Sequence, residues 1–194
     1  MRENLILDLP FKGSREYLHS TDLYPALMEV ARESFGPQAW VHSLTIRRPF
    51  KRIIQVSFDP VEVSSGSFRI RNGGQDVPGW LLETDRLVTR RVPYDTSPLS
   101  AAAVSGSGCA RILEALPGFP VLDVLVSLLK LVSDQVDRRH WLICQLNLDV
   151  QLAEIFPVGV RIRNNLAGKF LVYDILQSGT VIGSARGMLE DVKV

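Results

Sequence analysis

The sequence predicts an α+β protein of two similar halves, each with a helix followed by antiparallel strands. Apolar residues recur at helical spacing in two segments, from Asp22 to the Gly36-Pro37 stop and from Val121 to Val136. After each helix, polar and apolar residues alternate, and tight connections rich in Gly, Ser and Pro separate the segments. This pattern favours antiparallel strands, and it occurs twice along the chain.

The spacing of landmarks supports a repeat. Trp40 precedes Phe68 by 28 residues, and Trp141 precedes Phe170 by 29. The predicted helices begin 18 and 20 residues before the tryptophan of their half. The identical tetrapeptides that begin at Arg69 and Arg161 lie at different offsets from the tryptophans, so we interpret their identity as coincidence.

In the first half, residues 4–11 form an apolar run that suits a strand. Asp22 is the predicted N-cap of the first helix, which places Pro25 at a position where no intrahelical bond is lost. The first predicted strand has one side formed by Trp40, His42, Leu44 and Ile46. The four predicted strands of this half are Trp40–Ile46, Arg52–Phe58, Ser67–Asn72 and Trp80–Val92.

In the second half, residues 110–116 form a short apolar run before the helix Val121–Val136. The polar residues of this helix fall on one stripe, so the rest of its surface should be enclosed by a curved sheet. The members of the stripe are Asp123, Ser127, Lys130 and Asp134. The predicted strands are Trp141–Val150, Val158–Arg163, Lys169–Leu176 and Thr180–Leu189, with a hairpin turn at Gln177-Ser178-Gly179.

The composition limits the partners and the compartment. The net charge of +1, from 22 Lys and Arg against 21 Asp and Glu, argues against nucleic acid or an anionic membrane as partner. The longest apolar stretch, Val121 to Val132, is too short and too polar to span a bilayer. Cys109 and Cys144 are expected to be free thiols, and we expect a cytoplasmic protein. The segment 95–108, rich in Ser, Gly and Ala, is predicted as a flexible linker between domains 1–94 and 109–194.

A short strand, a long helix and four antiparallel strands, present twice, resemble a double hot-dog protein. The resemblance rests on element order and spacing over nearly the whole chain, and no signature motif carries it. It implies a tandem hot-dog in which one continuous antiparallel sheet wraps two central helices. It also implies an acyl thioester of coenzyme A or acyl carrier protein as substrate, with a 3-hydroxyacyl dehydratase or thioesterase reaction. No cofactor beyond the carrier is implied, and fused halves allow a monomer or a homodimer.

In the dehydratase members a histidine precedes the central helix and an acidic residue lies further along a helix. The resemblance therefore directs attention to His19 and to Glu33, 14 residues later, although Glu29 and Glu33 also suit a solvated face. The His-Phe-Pro and Pro-Gly elements of the dehydratase pattern are missing around His19. The second half has Gly118-Phe119-Pro120, with glycine where histidine is expected. At most one complete site is implied.

A thioesterase needs a carboxylate beside an oxyanion-stabilising dipole, which a helix N-terminus supplies. Asp22 and Asp123 both lie near predicted helix starts, and Asp22 also suits a capping role. Asp123 is the more informative, because its helix should be enclosed and a buried carboxylate must be paired or neutralised.

The basic cluster of Arg47, Arg48 and Lys51 lies between two predicted strands and could hold a phosphate of coenzyme A, or could form a solvated turn. The three histidines show no metal-ligand spacing. Two alternatives to an enzyme remain. The fold could hold an acyl chain or a protein without catalysis, or it could serve as a structural subunit with an exposed apolar patch at a sheet edge.

Overall fold

The computed structural model describes residues 5–189, in which the chain forms two compact units with a boundary between Asp95 and Thr96. Each unit contains one long helix and an antiparallel sheet. The α+β class predicted from the sequence is therefore confirmed. No helix within residues 5–189 has both the length and the apolar character needed to cross a membrane.

The N-terminal unit contains a five-stranded antiparallel sheet in the order β1-β4-β6-β5-β3, and β2 pairs with β7 in parallel. Its helix packs against β3. The elements are β1 Leu5–Leu7, β2 Phe11–Lys12, α1 Ser20–Phe35, β3 Trp40–Ile46, β4 Arg52–Ser57, β5 Gly66–Asn72, β6 Gln75–Leu87 and β7 Arg91–Val92.

Helix α1 begins three residues earlier than the sequence predicts. Its N-cap is His19, whose ring nitrogen Nδ1 accepts the Thr21 backbone N–H, so the prediction of Asp22 as the cap is wrong. Asp22 instead lies in the first turn, where a carboxylate stabilises the positive end of the helix dipole. Pro25 is the sixth helical residue and removes a bond to the carbonyl of Thr21. The helix ends at Gly36, as predicted.

Strand β3 has the predicted bounds, but its buried face differs from the prediction. A bulge lies between Val41 and Ser43 in the pairing with β5, so His42 is the extra residue. The bulge turns Val41 and Leu44 toward the core, where they are buried, whereas Trp40 and His42 are half-buried. The regular alternation that placed Trp40, His42, Leu44 and Ile46 on one side does not hold through the bulge.

The C-terminal unit contains a six-stranded antiparallel sheet in the order β8-β9-β11-β12-β13-β10. Strands β12 and β13 are joined by the predicted turn, in which Ser178 and Gly179 both have positive φ. The elements are α2 Ser97–Ala102, β8 Val104–Gly106, β9 Cys109–Ile112, α3 Val121–Val136, β10 Trp141–Leu148, β11 Val158–Leu166, β12 Phe170–Gln177 and β13 Thr180–Leu189.

The segment 95–108 contains secondary structure where the sequence predicts a flexible linker. Helix α2 packs against α3, and its Leu99 is 1% exposed. Strand β8 pairs with β9. The small residues that indicated flexibility let a short helix pack closely on its neighbour, and the buried leucine anchors it.

Helix α3 has the predicted bounds. Seven of its apolar side chains are buried, and the predicted polar stripe lies on the more exposed side, with Lys130 exposed and Asp123 half-buried. One polar residue lies on the buried side. The Ser133 hydroxyl donates to the Leu129 carbonyl at 2.7 Å and lies 2.6 Å from the hydroxyl of Tyr173 in β12. The buried apolar residues are Val121, Leu122, Val124, Leu125, Leu128, Leu129 and Val132.

Candidate functional site

A polar cluster surrounds the N-terminus of α1 and contains two of the residues that the sequence singles out. The Thr21 hydroxyl lies 2.7 Å from His19 Nδ1 and accepts a hydrogen bond from Lys12 Nζ at 2.7 Å. Lys12 Nζ also lies 2.9 Å from the Asp22 carboxylate. His19 and Thr21 are each 6% exposed, so this cluster is largely removed from water. We call Lys12, His19, Thr21, Asp22 and Tyr94 the helix-start cluster.

Residues distant in sequence close this cluster. The centres of the Tyr94 and His19 rings are 5.4 Å apart. Lys12 Nζ lies 4.6 Å from the centre of the Tyr94 ring. The parallel pairing of β2 with β7 brings residues 91–94 back to Lys12. Arg91 strengthens the closure, because its guanidinium donates to the carbonyls of Gly13 and Arg15 at 2.5 and 2.7 Å.

One backbone contact indicates which nitrogen of His19 carries the proton. The Thr21 backbone N–H points at His19 Nδ1, 3.5 Å away, and a ring nitrogen that receives an N–H must present its lone pair. Nδ1 is therefore an acceptor, and the Thr21 hydroxyl donates to it. A neutral imidazole with an acceptor at Nδ1 carries its proton on Nε2. In this arrangement His19 is suited to donate a hydrogen bond or a proton from Nε2.

The two glutamates of α1 lie away from this cluster. Glu29 and Glu33 are both exposed on the helix surface. Glu33 follows His19 by 14 residues, which corresponds to about 20 Å along a helix at 1.5 Å per residue. The structure therefore places His19 and Glu33 near opposite ends of α1, because His19 is its N-cap and Glu33 lies two residues before its last residue.

Asp123 is the third residue of α3, in the C-terminal unit, and it is half-buried. The N-cap position is Pro120, whose side chain offers no cap. The Glu154 carboxylate, from the loop before β11, accepts the Val121 backbone N–H at 3.1 and 3.2 Å and supplies this role. Sequence reasoning missed Glu154, since a cap from a residue 33 positions away has no local pattern.

The basic cluster between β3 and β4 is partly engaged within its own unit. Arg47 donates to the hydroxyl of Ser64 at 2.5 Å, and Arg48 donates to that of Ser65 at 2.9 Å. Glu83 accepts the Lys51 backbone N–H at 2.6 Å and lies 3.5 Å from the Arg48 guanidinium. The Arg48 side chain is nevertheless 63% exposed. The cluster therefore combines a structural role with cationic groups that reach solvent.

A second charged site lies on the sheet of the C-terminal unit. Asp174, in β12, is 5% exposed, and its carboxylate accepts hydrogen bonds from Arg161 at 2.6 Å and Arg163 at 2.5 Å. Burial acts to raise the pKa of Asp174, but the hydrogen bonds and charges of the two arginines together lower that pKa below its ordinary value. A lone acid in the otherwise apolar segment Phe170–Leu176 was the available signal in the sequence.

Other titratable groups are perturbed without forming a site. Burial lowers the pKa of His42, and the neighbouring Asp76 acts in the opposite direction. Burial raises the pKa of the Cys144 thiol, and both cysteines are free, as predicted. Within residues 5–189, no three His, Cys, Asp or Glu side chains come together to hold a metal ion.

Comparison with solved structures identifies the fold. The sequence matches no protein-family model and no curated protein. The structure is similar to a pyran synthase domain from module nine of the sorangicin pathway, with a TM-score of 0.55 and 12% identity over 96% of this chain and 91% of that one. It is also similar to the dehydratase domain of the polyketide PpsC from Mycobacterium tuberculosis, with a TM-score of 0.50 and 11% identity over 90% and 84% of the two chains.

A structure of the PpsC dehydratase domain in complex with C12:1-CoA gives a TM-score of 0.50 and 12% identity over 90% of this chain and 85% of that one. At such low identity the similarity describes the path of the backbone. The chain therefore has the hot-dog fold that these dehydratase domains share.

Proposed function

We propose that this protein binds an acyl thioester, carried on coenzyme A or acyl carrier protein, and processes it as a 3-hydroxyacyl dehydratase or thioesterase. The observation that carries the proposal is the similarity of fold, over 90% of this chain, to a dehydratase domain in complex with C12:1-CoA. The finer arrangement, a double hot-dog with one sheet around both helices, belongs to the same proposal.

Dehydration needs a base that removes the proton α to the thioester carbonyl and an acid that protonates the departing hydroxyl. In the proposed dehydratase reaction His19 donates the proton to the departing hydroxyl from Nε2. In the thioesterase reaction Asp123, in the first turn of α3, is the carboxylate that attacks the thioester or activates a water. Asp22 positions Lys12 at 2.9 Å, and Lys12 in turn orients Thr21 against the imidazole. Glu33 takes no part in this proposal, because it is exposed near the other end of α1.

The phosphates of the carrier would contact the basic cluster between β3 and β4. Arg48 is the strongest candidate, because its side chain is 63% exposed while its Nε is held by Ser65. Lys51 is exposed and uses only its backbone N–H to bind Glu83. Arg47 is bonded to Ser64 and would contribute charge without rearrangement.

A second candidate function is non-catalytic binding of an acyl group. It is favoured by one specific observation: the His19 imidazole is 6% exposed and serves as the N-cap of α1. A histidine used in this way has a structural reason to be present without any reaction.

The test of binding is thermal stabilisation of the purified protein by acyl-CoA compounds of increasing chain length, with free coenzyme A as the control. Each buried CH₂ group should add up to about 0.8 kcal/mol of binding free energy, so stabilisation should increase from C4 to C12. Stabilisation equal to that by free coenzyme A at every length would contradict the proposal. A Lys51→Ala variant should weaken stabilisation by short and long compounds alike, because it removes a contact to the carrier.

The test of catalysis follows hydration of 2-enoyl-CoA and release of free coenzyme A thiol. His19→Asn is the informative variant, since asparagine is a good N-cap and preserves the start of α1 without an imidazole. If His19 is catalytic, His19→Asn should lower turnover by at least about 100-fold while keeping the melting temperature. If the reaction is that of a thioesterase, Asp123→Asn should lower the release of free coenzyme A thiol by a comparable factor. Acyl-CoA stabilisation with no turnover in the unmodified protein would establish the non-catalytic function instead.

A further inference from the structure

Four arginines lie on the outer face of the sheet in the C-terminal unit. Cys109 and Arg111 of β9 are exposed, whereas Ala110 and Ile112 between and after them are buried toward the core. Arg161 is directly opposite Cys109 on one side and Asp174 on the other, so all three share this outer face. We call Arg111, Arg161, Arg163 and Arg186 the arginine band.

The register places the band diagonally across the sheet. Asp174 is opposite Ser184, and Arg186 lies two residues beyond Ser184 on the same face. Arg111 lies two residues from Cys109 in the opposite direction. With strands about 4.8 Å apart and a rise of about 3.3 Å per residue, Arg111 and Arg186 are separated by about 20 Å.

The charge of this surface is strongly unbalanced. Within their strand bounds alone, β8 to β13 contain four arginines and one acidic residue, Asp174, so the strands carry a net charge of +3. The chain as a whole has a net charge of +1, so the excess is local. A patch of one sign attracts partners of the opposite sign and sets their orientation.

Asp174 positions the centre of the band without neutralising it. Its buried carboxylate holds Arg161 and Arg163, yet their side chains remain 57% and 52% exposed. A guanidinium that is already held in place loses less conformational entropy when a partner binds, so binding costs less free energy. At one end of the band, the Arg186 guanidinium lies 5.9 Å from the centre of the Phe170 ring, which also restricts it.

We infer that the arginine band is a docking surface for an acidic helix of a partner protein. Carboxylates at positions i, i+4, i+8 and i+12 of a helix form a row with a spacing of about 6 Å and a length of about 18 Å, which matches the band. Arginine pairs with carboxylates through two parallel hydrogen bonds. A single phosphate group would need all of its cations to converge, whereas Arg111 and Arg186 lie at opposite ends of the band and only Arg161 and Arg163 meet, at Asp174.

The test uses a fluorescein-labelled helical peptide of about 20 residues with glutamates at i, i+4, i+8 and i+12. Binding to the full chain is followed by fluorescence anisotropy at 50 and 200 mM NaCl. Arg186→Glu and Arg111→Glu are the test variants, because they leave the Asp174 hydrogen bonds intact. Arg69→Glu is the matched control: it makes the same charge change at an exposed strand position in the N-terminal unit.

We expect each test variant to weaken peptide binding by about 10-fold at 50 mM NaCl, and Arg69→Glu by less than about twofold. Binding by the unmodified protein should decrease at 200 mM NaCl. Equal losses in Arg69→Glu and Arg186→Glu, or no peptide binding at all, would overturn the inference. So would equally tight binding of a peptide with the same composition but with its glutamates distributed around the helix. Stronger binding of a single-stranded oligonucleotide of equal charge would assign the band to nucleic acid instead. The inference does not depend on acyl-thioester binding, so the two experiments can fail separately.

Discussion

The two units have the same order of long helix and strands along the chain but differ in how the strands pair. After the helix, the second strand of the C-terminal unit, β11, forms a hairpin with β12 through residues 167–169. Its counterpart β4 pairs with β6 instead, and residues 58–65 connect β4 to β5 on the other side of β6. The 13-residue strand β6 is long enough to pair with β5 along its first part and with β4 along its second. The sheet order of the N-terminal unit therefore depends on the long connection between β4 and β5 and on the length of β6.

The units also differ in how their sheets carry charge. In the N-terminal unit, Arg71 lies 3.4 Å from Asp76, and the Arg52 side chain donates to the carbonyl of Asp85. In the C-terminal unit one buried carboxylate serves two arginines. Arginine thus connects paired strands in one unit and forms an open cationic surface in the other. Variants placed at matched positions of the two units can test these differences.

The largest expected effect concerns one glycine in each unit, Gly66 and Gly183, which packs against the first strand after the long helix of its unit. A Cβ on Gly183 would lie 2.2 Å from the Asn147 carbonyl oxygen, and one on Gly66 would lie 2.7 Å from that of Thr45. Both contacts are with backbone, so Gly183→Ala should reduce the free energy of unfolding by about 3 kcal/mol and Gly66→Ala by about 1–2. Urea unfolding measures both, with Ser184→Ala as the control. A larger loss in Gly66→Ala would reverse the comparison.

The next effect concerns the two acids that bind arginine. Asp174→Asn should reduce the free energy of unfolding by about 2 kcal/mol, because it weakens charged hydrogen bonds to a buried group. Asp76→Asn should cost less than about 0.5 kcal/mol, because Asp76 is 37% exposed and its ion pair is screened by solvent. Urea unfolding at pH 6 gives both values. Equal losses of unfolding free energy would show that the buried acid contributes no more to stability than the exposed one.

Asp174 also makes the stability of the fold depend on acid pH. The pKa of Asp174 is lower in the folded protein than in the unfolded chain, so its contribution is complete above the unfolded pKa and is lost as the pH falls through the folded one. Between pH 5 and pH 3 the unmodified protein should therefore lose more stability than Asp174→Asn. Parallel losses in the two proteins would contradict this assignment.

A smaller effect concerns the buried tyrosines that connect helix and sheet. Tyr24 of α1 donates to the Val41 carbonyl at 2.7 Å, and Tyr173 of β12 bonds to Ser133 of α3. Tyr173→Phe should cost about 1 kcal/mol at neutral pH. Burial raises the pKa of Tyr173 to about 12, so the stability it contributes should decrease as the pH rises above 10, where the unfolded tyrosine ionises. Measurements of the free energy of unfolding at pH 8, 10 and 11 check this. Over that range Tyr173→Phe should lose less stability than the unmodified protein.

The smallest effect concerns His42 at the β3 bulge. Burial lowers its pKa in the folded protein, so protonation favours the unfolded chain and stability should decrease slightly as the pH falls below about 6.5. His42→Gln should flatten this dependence between pH 7 and pH 5. His140 is exposed, and His140→Gln is the matched control for the removal of a histidine from the surface.

The candidate site was predictable only in part. His19 and Asp22 are at the start of α1 as expected, but the His19 imidazole takes the capping role predicted for Asp22, and the Asp22 carboxylate binds Lys12. Lys12 and Tyr94, the other charged and aromatic members of the helix-start cluster, gave no signal in the sequence. They meet through the β2–β7 pairing, which joins residues about 80 positions apart.

The sequence by itself determined the α+β class, the bounds of α3, β3 and β13, and the turn between β12 and β13. These features depend on periodicity, capping and turn residues, which act within a few positions of the chain. The tertiary structure decided the sheet order, the bulge at His42, the cap that Glu154 provides to α3, and the pairing of Asp174 with two arginines. Each depends on which strand edges and side chains meet across long separations. Local patterns do not specify such contacts, because many pairings satisfy the same alternation of polar and apolar residues.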